Sequence, residues 1–536
     1  MPGGCQQLAV LLLFALAIFL SAALLFMVQP LAGKVLLPLL GGSPSVWNTC
    51  MVFFQAMLLL GYLYSHLTTK WLSPRMQGLV HISLLAIAAA TLPIPIDVGS
   101  PGQSEPVMWL LKTLLLSVGF PFFIVSTTGP LVQRWFSRTD HPKAHDPYFL
   151  YSASNAGSVV GLLTYPALFE PFLTRTQQSW TWAGMYVALA PLVGACGYVM
   201  VKNAGARVEV GAKVETGEIA GEKGVEKGGE VGTQAGAWVW KQRLLWLALA
   251  FVPSSLMLGV TQYVTTDVAP IPLLWIIPLL LYLISFILAF SQRVPISAAG
   301  WGRALPFALI CVLVAILTGA NSPLILLAGL HLAFFFIVAM MCHKRMAETR
   351  PPTSRLTEFY LVMSMGGVLG GIFNAIVAPQ VFNSILEYPL IIGAACLLRP
   401  QLAHEAAALS KPIQRLKRVI VAVTVSILLL ALLVNVDAAI VSGMLRRPVS
   451  IFGQALRLEN GALKSGATVL LSFASLIAVL RAGIPAFLCL MLLLKGGSLR
   501  FALAAMTLLI GNMWLGEGAT NYYQERSFFG VKKVGF

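Results

Sequence analysis

The chain has 536 residues, 58% of them hydrophobic and 10% charged, with a formal net charge of +16. A soluble domain carries about 25% charged residues, so this composition, with a mean hydropathy of +0.82, excludes an ordinary globular protein and points to a membrane protein of many spans. The positive charge does not mark a nucleic-acid partner: the basic residues sit in short loops between apolar runs, where the positive-inside rule puts them.

About 20 apolar residues are needed to cross the hydrocarbon core. The first run, "LAVLLLFALAIFLSAALLFMVQ", has no basic region before it and is too long for a signal peptide, so it reads as a retained first span. Spans are predicted near 8–29, 46–66, 77–96, 107–131, 148–170 and 178–201. A second set falls near 242–264, 268–291, 303–320, 322–342, 356–380 and 386–399, and a last group near 418–436, 467–494 and 500–516. The 467–494 run carries Arg481 and is long enough for one tilted helix or two short ones. The expectation is an all-α polytopic membrane protein of about 14–16 transmembrane helices.

The chain divides accordingly. Residues 1–202 form a first six-span half and 241–400 a second; 401–517 hold additional spans. Between the halves, 203–240 are rich in Gly, Glu and Lys without a large apolar face, which reads as a flexible cytoplasmic linker. The tail, 518–536, mixes aromatic and charged residues, and Arg526–Val534 alternates in part as a half-buried strand does. Basic loops follow the even-numbered spans, as in "QRWFSRTDHPKAHD" and "CHKRMAETRPPTSR", and place the N-terminus in the cytoplasm.

The two halves echo each other. At an offset of 210, "FLYSASNAGSVVGLL" from Phe149 meets "FYLVMSMGGVLGGIF" from Phe359, pairing Gly157 with Gly367 and Gly161 with Gly371. "SAALLFMVQ" ends on Gln29 and "SSLMLGVTQ" on Gln262, and a tryptophan, Trp47 or Trp275, stands in the next span of each half. Two parallel six-span halves are the architecture of major-facilitator transporters. The paired glycines read as close helix packing, or as a sliding surface for alternating access.

Broken, polar segments at corresponding positions are a pointer to a transporter site. "QPLAGKVLLPLLGGSPSVW" carries Lys34, and "QYVTTDVAPIPLLW" carries Asp267. Both charges lie five residues beyond their glutamine, so a Lys34–Asp267 pair or a shared polar cavity is expected. Gln29, Lys34, Gln55, Gln262, Asp267 and Glu358 are the candidate substrate-binding residues. Asn155 and Asn374 are further polar groups within spans, and Glu358 stands beside Arg355. The seven cysteines are scattered singly, no metal-ligand spacing occurs, and no nucleotide loop follows a strand. No catalytic residue, metal or cofactor is therefore expected.

"QPLAGKVLLPLLGGSPSVWNTCMVFFQ", "TTDVAPIPLLWIIPLLLYLISF", "LTEFYLVMSMGGVLGGIFNA", "EYPL" and "ERSFFGV", in this order, resemble the membrane region of bacterial fused MFS/spermidine synthase proteins. The resemblance implies a bacterial inner-membrane location and a tail similar to the first strand of an aminopropyltransferase-like domain whose catalytic loop is absent here. It leaves three readings. The first is a transporter-like protein handling a polyamine or related small cation. The second is a non-transporting membrane scaffold for a separately encoded spermidine synthase-like domain, and the third a fragment without independent function. The chain itself is not expected to be an enzyme. Its expected partner in every reading is the lipid bilayer, with no nucleic acid.

Overall fold

The computed structural model describes residues 2–215, 232–400 and 521–535, apart from 41–43, 96, 103–104, 146, 148, 266–274, 292–293, 318–323, 353–354 and 528–529, together with 502–503, 505–506 and 509. The first half comprises α1 (Pro2–Leu36), α2 (Pro44–Trp71), α3 (Pro74–Ala89), α4 (Pro106–Leu114), α5 (Phe120–Phe136), α6 (Phe149–Thr164), α7 (Glu170–Phe172) and α8 (Arg175–Glu215). The second comprises α9 (Gly232–Tyr263), α10 (Ile276–Phe290), α11 (Ala298–Leu317), α12 (Leu324–Glu348), α13 (Leu356–Ile372), α14 (Ala378–Val381) and α15 (Glu387–Leu397). A π turn joins α4 to α5 (Leu115–Gly119), α6 to α7 (Tyr165–Phe169) and α13 to α14 (Phe373–Val377), so each pair is one rod. The fold is all-α and polytopic. Among the described residues, 7 helices are long and apolar enough to cross a membrane, and Ile276–Phe290, Ala298–Leu313 and Glu387–Leu397 are shorter apolar helices.

Local sequence sets the helix starts. Ser73 precedes Pro74, and its hydroxyl accepts from the Met76 N–H; Glu105 precedes Pro106, and its carboxylate accepts from the Met108 N–H. Proline at the first helical position lacks only a donor that would be unpaired there, while the preceding side chain satisfies another.

Of the stretch expected as a linker, 203–215 continue α8 and 232–240 open α9. The stretch is less irregular than its composition implies because an existing helix propagates at one hydrogen bond per residue, without a new nucleus. The spans expected at 418–436 and 467–494 lie outside the described residues. Of 500–516, Ala502, Ala505 and Leu509 are described and fully buried.

The helices pack as two copies of one plan. Within the halves, α1 packs on α6 as α9 packs on α13, α2 on α5 as α10 on α12, and α1 on α8 as α9 on α15. Between the halves, α2 meets α13 and α6 meets α10, again a matched pair. Backbone detail fixes the register. A Cβ on Gly157 or Gly161 would run into the carbonyls of Phe19 and Ala23; one on Gly366 or Gly370 would run into those of Leu247 and Phe251. Both rods then end in extended backbone, at Leu173 (φ −119°, ψ 134°) and Phe382 (φ −113°, ψ 132°). Positions in α6 and α13 thus correspond at an offset of 209, and α1 corresponds to α9 at 228.

This corrects the sequence alignment at 210. One residue turns a helix face by about 100°. Gly366 and Gly370, not Gly367 and Gly371, are therefore the mates of Gly157 and Gly161. Gly367 has no neighbour in its Cβ direction, whereas Gly371 faces Gln55 and Val52 of α2, across the halves. Gly157 and Gly161 lock α6 to α1 inside one half, which makes that contact rigid rather than a sliding surface.

The tail is a hairpin rather than one strand. β1 (Asn521–Ser527) and β2 (Gly530–Gly535) pair antiparallel, with Arg526 opposite Val531. Arg526 fixes it to the bundle. Its Nη2 donates to Glu387 Oε1 at 2.6 Å and its Nη1 to Glu387 Oε2 at 3.0 Å and to the Ser384 carbonyl at 2.8 Å.

Candidate functional site: a cavity between the halves

Six helices, three from each half, line a cavity of about 150 Å³. Its lining repeats at the offsets that relate the halves. Met51, Phe54, Gln55 and Leu58 of α2 answer Leu279, Tyr282, Leu283 and Phe286 of α10, each 228 positions on. Gln29 of α1 answers Met257 of α9 at the same offset. Ser154, Asn155 and Ser158 of α6 answer Met363, Ser364 and Gly367 of α13 at 209. The cavity therefore lies on the pseudo-two-fold axis.

At each end of the cavity a residue meets its own symmetry mate. Trp47 and Trp275, 228 apart, stack with centroids 3.5 Å apart and planes inclined by 26°. Beside them Asn48 Nδ2 donates to Gln262 Oε1 at 2.9 Å. At the opposite end Tyr151 and Tyr360, 209 apart, stack at 5.3 Å and 19°. Tyr360 donates its hydroxyl to Gln133 Oε1 at 2.7 Å, and His66 Nδ1 lies 3.0 Å from Thr357 Oγ1. On α2 these closures stand at residues 47–48 and 66, about 28 Å apart at 1.5 Å per residue, with Gln55 between them.

The residues singled out from sequence separate into groups. Gln29 and Gln55 border the cavity. Gln55 Nε2 donates to Ser254 Oγ at 3.1 Å, and that hydroxyl donates to the Gly367 carbonyl at 2.9 Å. Gln262 is not on the cavity: it joins Asn48 at the tryptophan end. Nor is it the mate of Gln29, whose structural counterpart is Met257. A five-residue shift is more than one helical turn, so the equal spacing of Lys34 and Asp267 from their glutamines does not imply equal depth.

Lys34 forms an ion pair with Glu170 of α7, inside its own half. The expectation of a Lys34–Asp267 pair or a shared polar cavity rests on Asp267, which lies outside the described residues. Glu358 is also away from the cavity. It accepts from Arg355 at 2.8 Å and from Arg243 at 2.6 Å, at the start of α13. The hydrogen bond to Glu358 holds the Arg355 guanidinium above its ordinary pKa.

Asn155 donates to the Tyr151 carbonyl at 2.9 Å, and Asn374, bonded to Ser255 and Gly370, sits behind the wall rather than on it. Tyr151, Tyr282, Phe286 and Tyr360 were not singled out from sequence. Apolar-looking aromatic positions carry no signal until the offset is known; at 209, Tyr151 and Tyr360 fall into register.

No family model matches the chain, and no curated protein matches it in sequence. Among solved structures, the human organic anion transporter MFSD10 (TETRAN) is similar with a TM-score of 0.47 and 14% identity, covering 73% of this chain and 98% of that one. The major facilitator superfamily proton:xylose symporter XylE bound to 6-bromo-6-deoxy-D-glucose gives 0.44 and 14%, covering 73% and 94%. At TM-scores under 0.5 neither likeness bears on activity or substrate. The two-half plan rests on the contacts described above.

Proposed function

We propose that this multi-pass membrane protein is a transporter that moves a small solute by rocking one half against the other. The observation that carries this reading is the cavity on the pseudo-two-fold axis, closed at its two ends by Trp47–Trp275 and Tyr151–Tyr360. Parallel six-helix halves around a midplane site are the plan on which major-facilitator transporters alternate access. Within each half the glycine contacts of α1 with α6 and of α9 with α13 set backbone on backbone, so each half moves as a body. Parting one aromatic pair opens one end while the other stays shut.

The loops and helix ends at the Tyr151–Tyr360 end carry Lys70, Arg75, Arg138, Lys143 and Arg350, which favours a cytoplasmic orientation for that end and for the N-terminus. A cysteine introduced at Gly224 should then escape an impermeant reagent in intact bacteria, the host the resemblance implies. The polyamine reading gains no support from the cavity, whose lining includes no carboxylate among the described residues. The scaffold reading gains little from the hairpin. Glu387, to which it docks, follows α14 at the tryptophan end, and the basic loops put that end away from the cytoplasm.

Side-specific labelling tests the transport reading. Ser158 is 3% exposed and borders the cavity. In sealed vesicles of a chain lacking other cysteines, Ser158→Cys should react with an impermeant thiol reagent supplied from either side. Reaction from one side only, or from neither, would overturn it.

A further inference from the structure

The matched walls of the central cavity differ in chemistry. Where the first half presents Gln29 and Gln55, the second presents Met257 and Leu283. Among the described residues, no side chain of the lining carries a formal charge. Gln29 is 1% exposed, and its Oε1 has no hydrogen-bond partner. Its terminal amide turns about a broad torsion, so the oxygen can swing to the cavity.

Gln55 has the same defect for a reason the geometry fixes. The Ser254 hydroxyl gives its proton to the Gly367 carbonyl, so it can only accept from Gln55. The amide nitrogen is thereby held toward Ser254, and the buried Oε1, left without a donor, is turned onto Gly371 of α13 rather than into the cavity. Two amide oxygens of the first half thus carry their desolvation cost unrelieved, and of the two only that of Gln29 can turn to the cavity.

Resting on the transport reading, we infer that the cavity takes a small, uncharged, two-faced molecule. Its polar edge presents an N–H or O–H donor to Gln29, and its apolar or aromatic body lies against Met257, Leu283 and Phe286. One water needs about 10–15 Å³ of such space, so 150 Å³ holds on the order of ten waters, the scale of a single substituted ring. Among the described lining residues a cation would meet no carboxylate and an anion no guanidinium or ammonium, so either would be stripped of water without compensation. An uncharged molecule with a donor fills the Gln29 acceptor instead, and aromatic neighbours such as Phe286 favour a ring on the other side.

Four probes of nearly one shape separate charge from hydrogen bonding: benzamide, toluene, benzoate and benzylamine. With the full chain in nanodiscs, titration calorimetry should give benzamide an affinity at least about 10-fold above each of the others, the scale of one well-made hydrogen bond. Gln29→Met, which installs the residue of the opposite wall, should cost benzamide about 10-fold and leave toluene unchanged. The melting temperature should not fall, because an unpaired buried acceptor has been removed. Gln29→Glu should make benzylamine the preferred probe.

Tightest binding of benzoate or benzylamine to the unaltered protein would overturn the inference. So would binding of none of the four, or a Gln29→Met effect equal on all. The labelling of Ser158→Cys from both sides would survive each of those results, so failure of the ligand class and failure of the transport reading are distinguishable.

Discussion

Trp47 and Trp275 occupy the same position in the two halves of the chain, and they stack on each other with ring centroids 3.5 Å apart. A residue meets its own symmetry mate only near the axis that relates the copies. The pair therefore marks where the halves touch, and Tyr151 with Tyr360 marks the second such point.

A stacked aromatic pair is worth about 1 kcal/mol beyond its buried area, roughly fivefold in an open-to-closed ratio. Trp47→Ala or Trp275→Ala should raise the labelling rate of Ser158→Cys about fivefold from the tryptophan end and not from the other. The double substitution should add little to either single one, because the contact is already gone. An equal rise from both ends would show that the pair is packing and nothing more.

The register of the repeat makes a separate prediction for the glycines. Gly157→Ala and Gly366→Ala each force a methyl against a backbone carbonyl and should cost about 1–3 kcal/mol. Gly367→Ala meets open space and should melt within about 0.5 kcal/mol of the parent. Thermal unfolding in detergent decides it. Equal losses at Gly366 and Gly367 would argue against the offset of 209.

Lys34 and Glu170 are each about a third exposed, at 37% and 34%. Solvent screening limits such a pair to about 0–1 kcal/mol. A cycle of Lys34→Ala and Glu170→Ala should give a coupling energy in that range, whereas Lys34→Ala with Asp267→Ala should give none. Coupling to Asp267 instead would restore the pairing expected from sequence.

The Arg526–Glu387 pair is of another kind, at 3% and 1% exposure with both terminal guanidinium nitrogens engaged. Removing one partner of a buried pair costs about 3–5 kcal/mol, and replacing both with apolar residues is often neutral. Arg526→Met and Glu387→Gln should each release the hairpin to protease. Arg526→Met with Glu387→Leu should protect it again. A tail equally protected in every variant would mean that backbone contacts, not this pair, hold it.

Much of the architecture was legible in the sequence, because apolar length and turn residues are read by the bilayer much as by eye. The rods at α6 and α13 and the tryptophan of each half were visible there. The alignment slipped by one because small residues crowd "GGVLGG", and only backbone contact with α9 tells Gly366 from Gly367. Gln29 and Gln55 stood out as amides within spans. The Glu170 partner of Lys34 was not legible, because it lies 136 positions away in α7, where no periodicity points. Glu358 found the arginine three residues before it, as helix spacing requires.

The central claim is that the halves rock about the axis marked by the two aromatic pairs. Spin-label distances measured at both ends of one molecule test it most directly. Labels at Lys70 and Lys241 report the tyrosine end, and labels at Leu39 and Ile277 the tryptophan end; all four positions are exposed. Each pair should show two distance populations, and Trp275→Ala should lengthen the Leu39–Ile277 distances while shortening those between Lys70 and Lys241. A single distance at each end, unmoved by the substitution, would contradict the account.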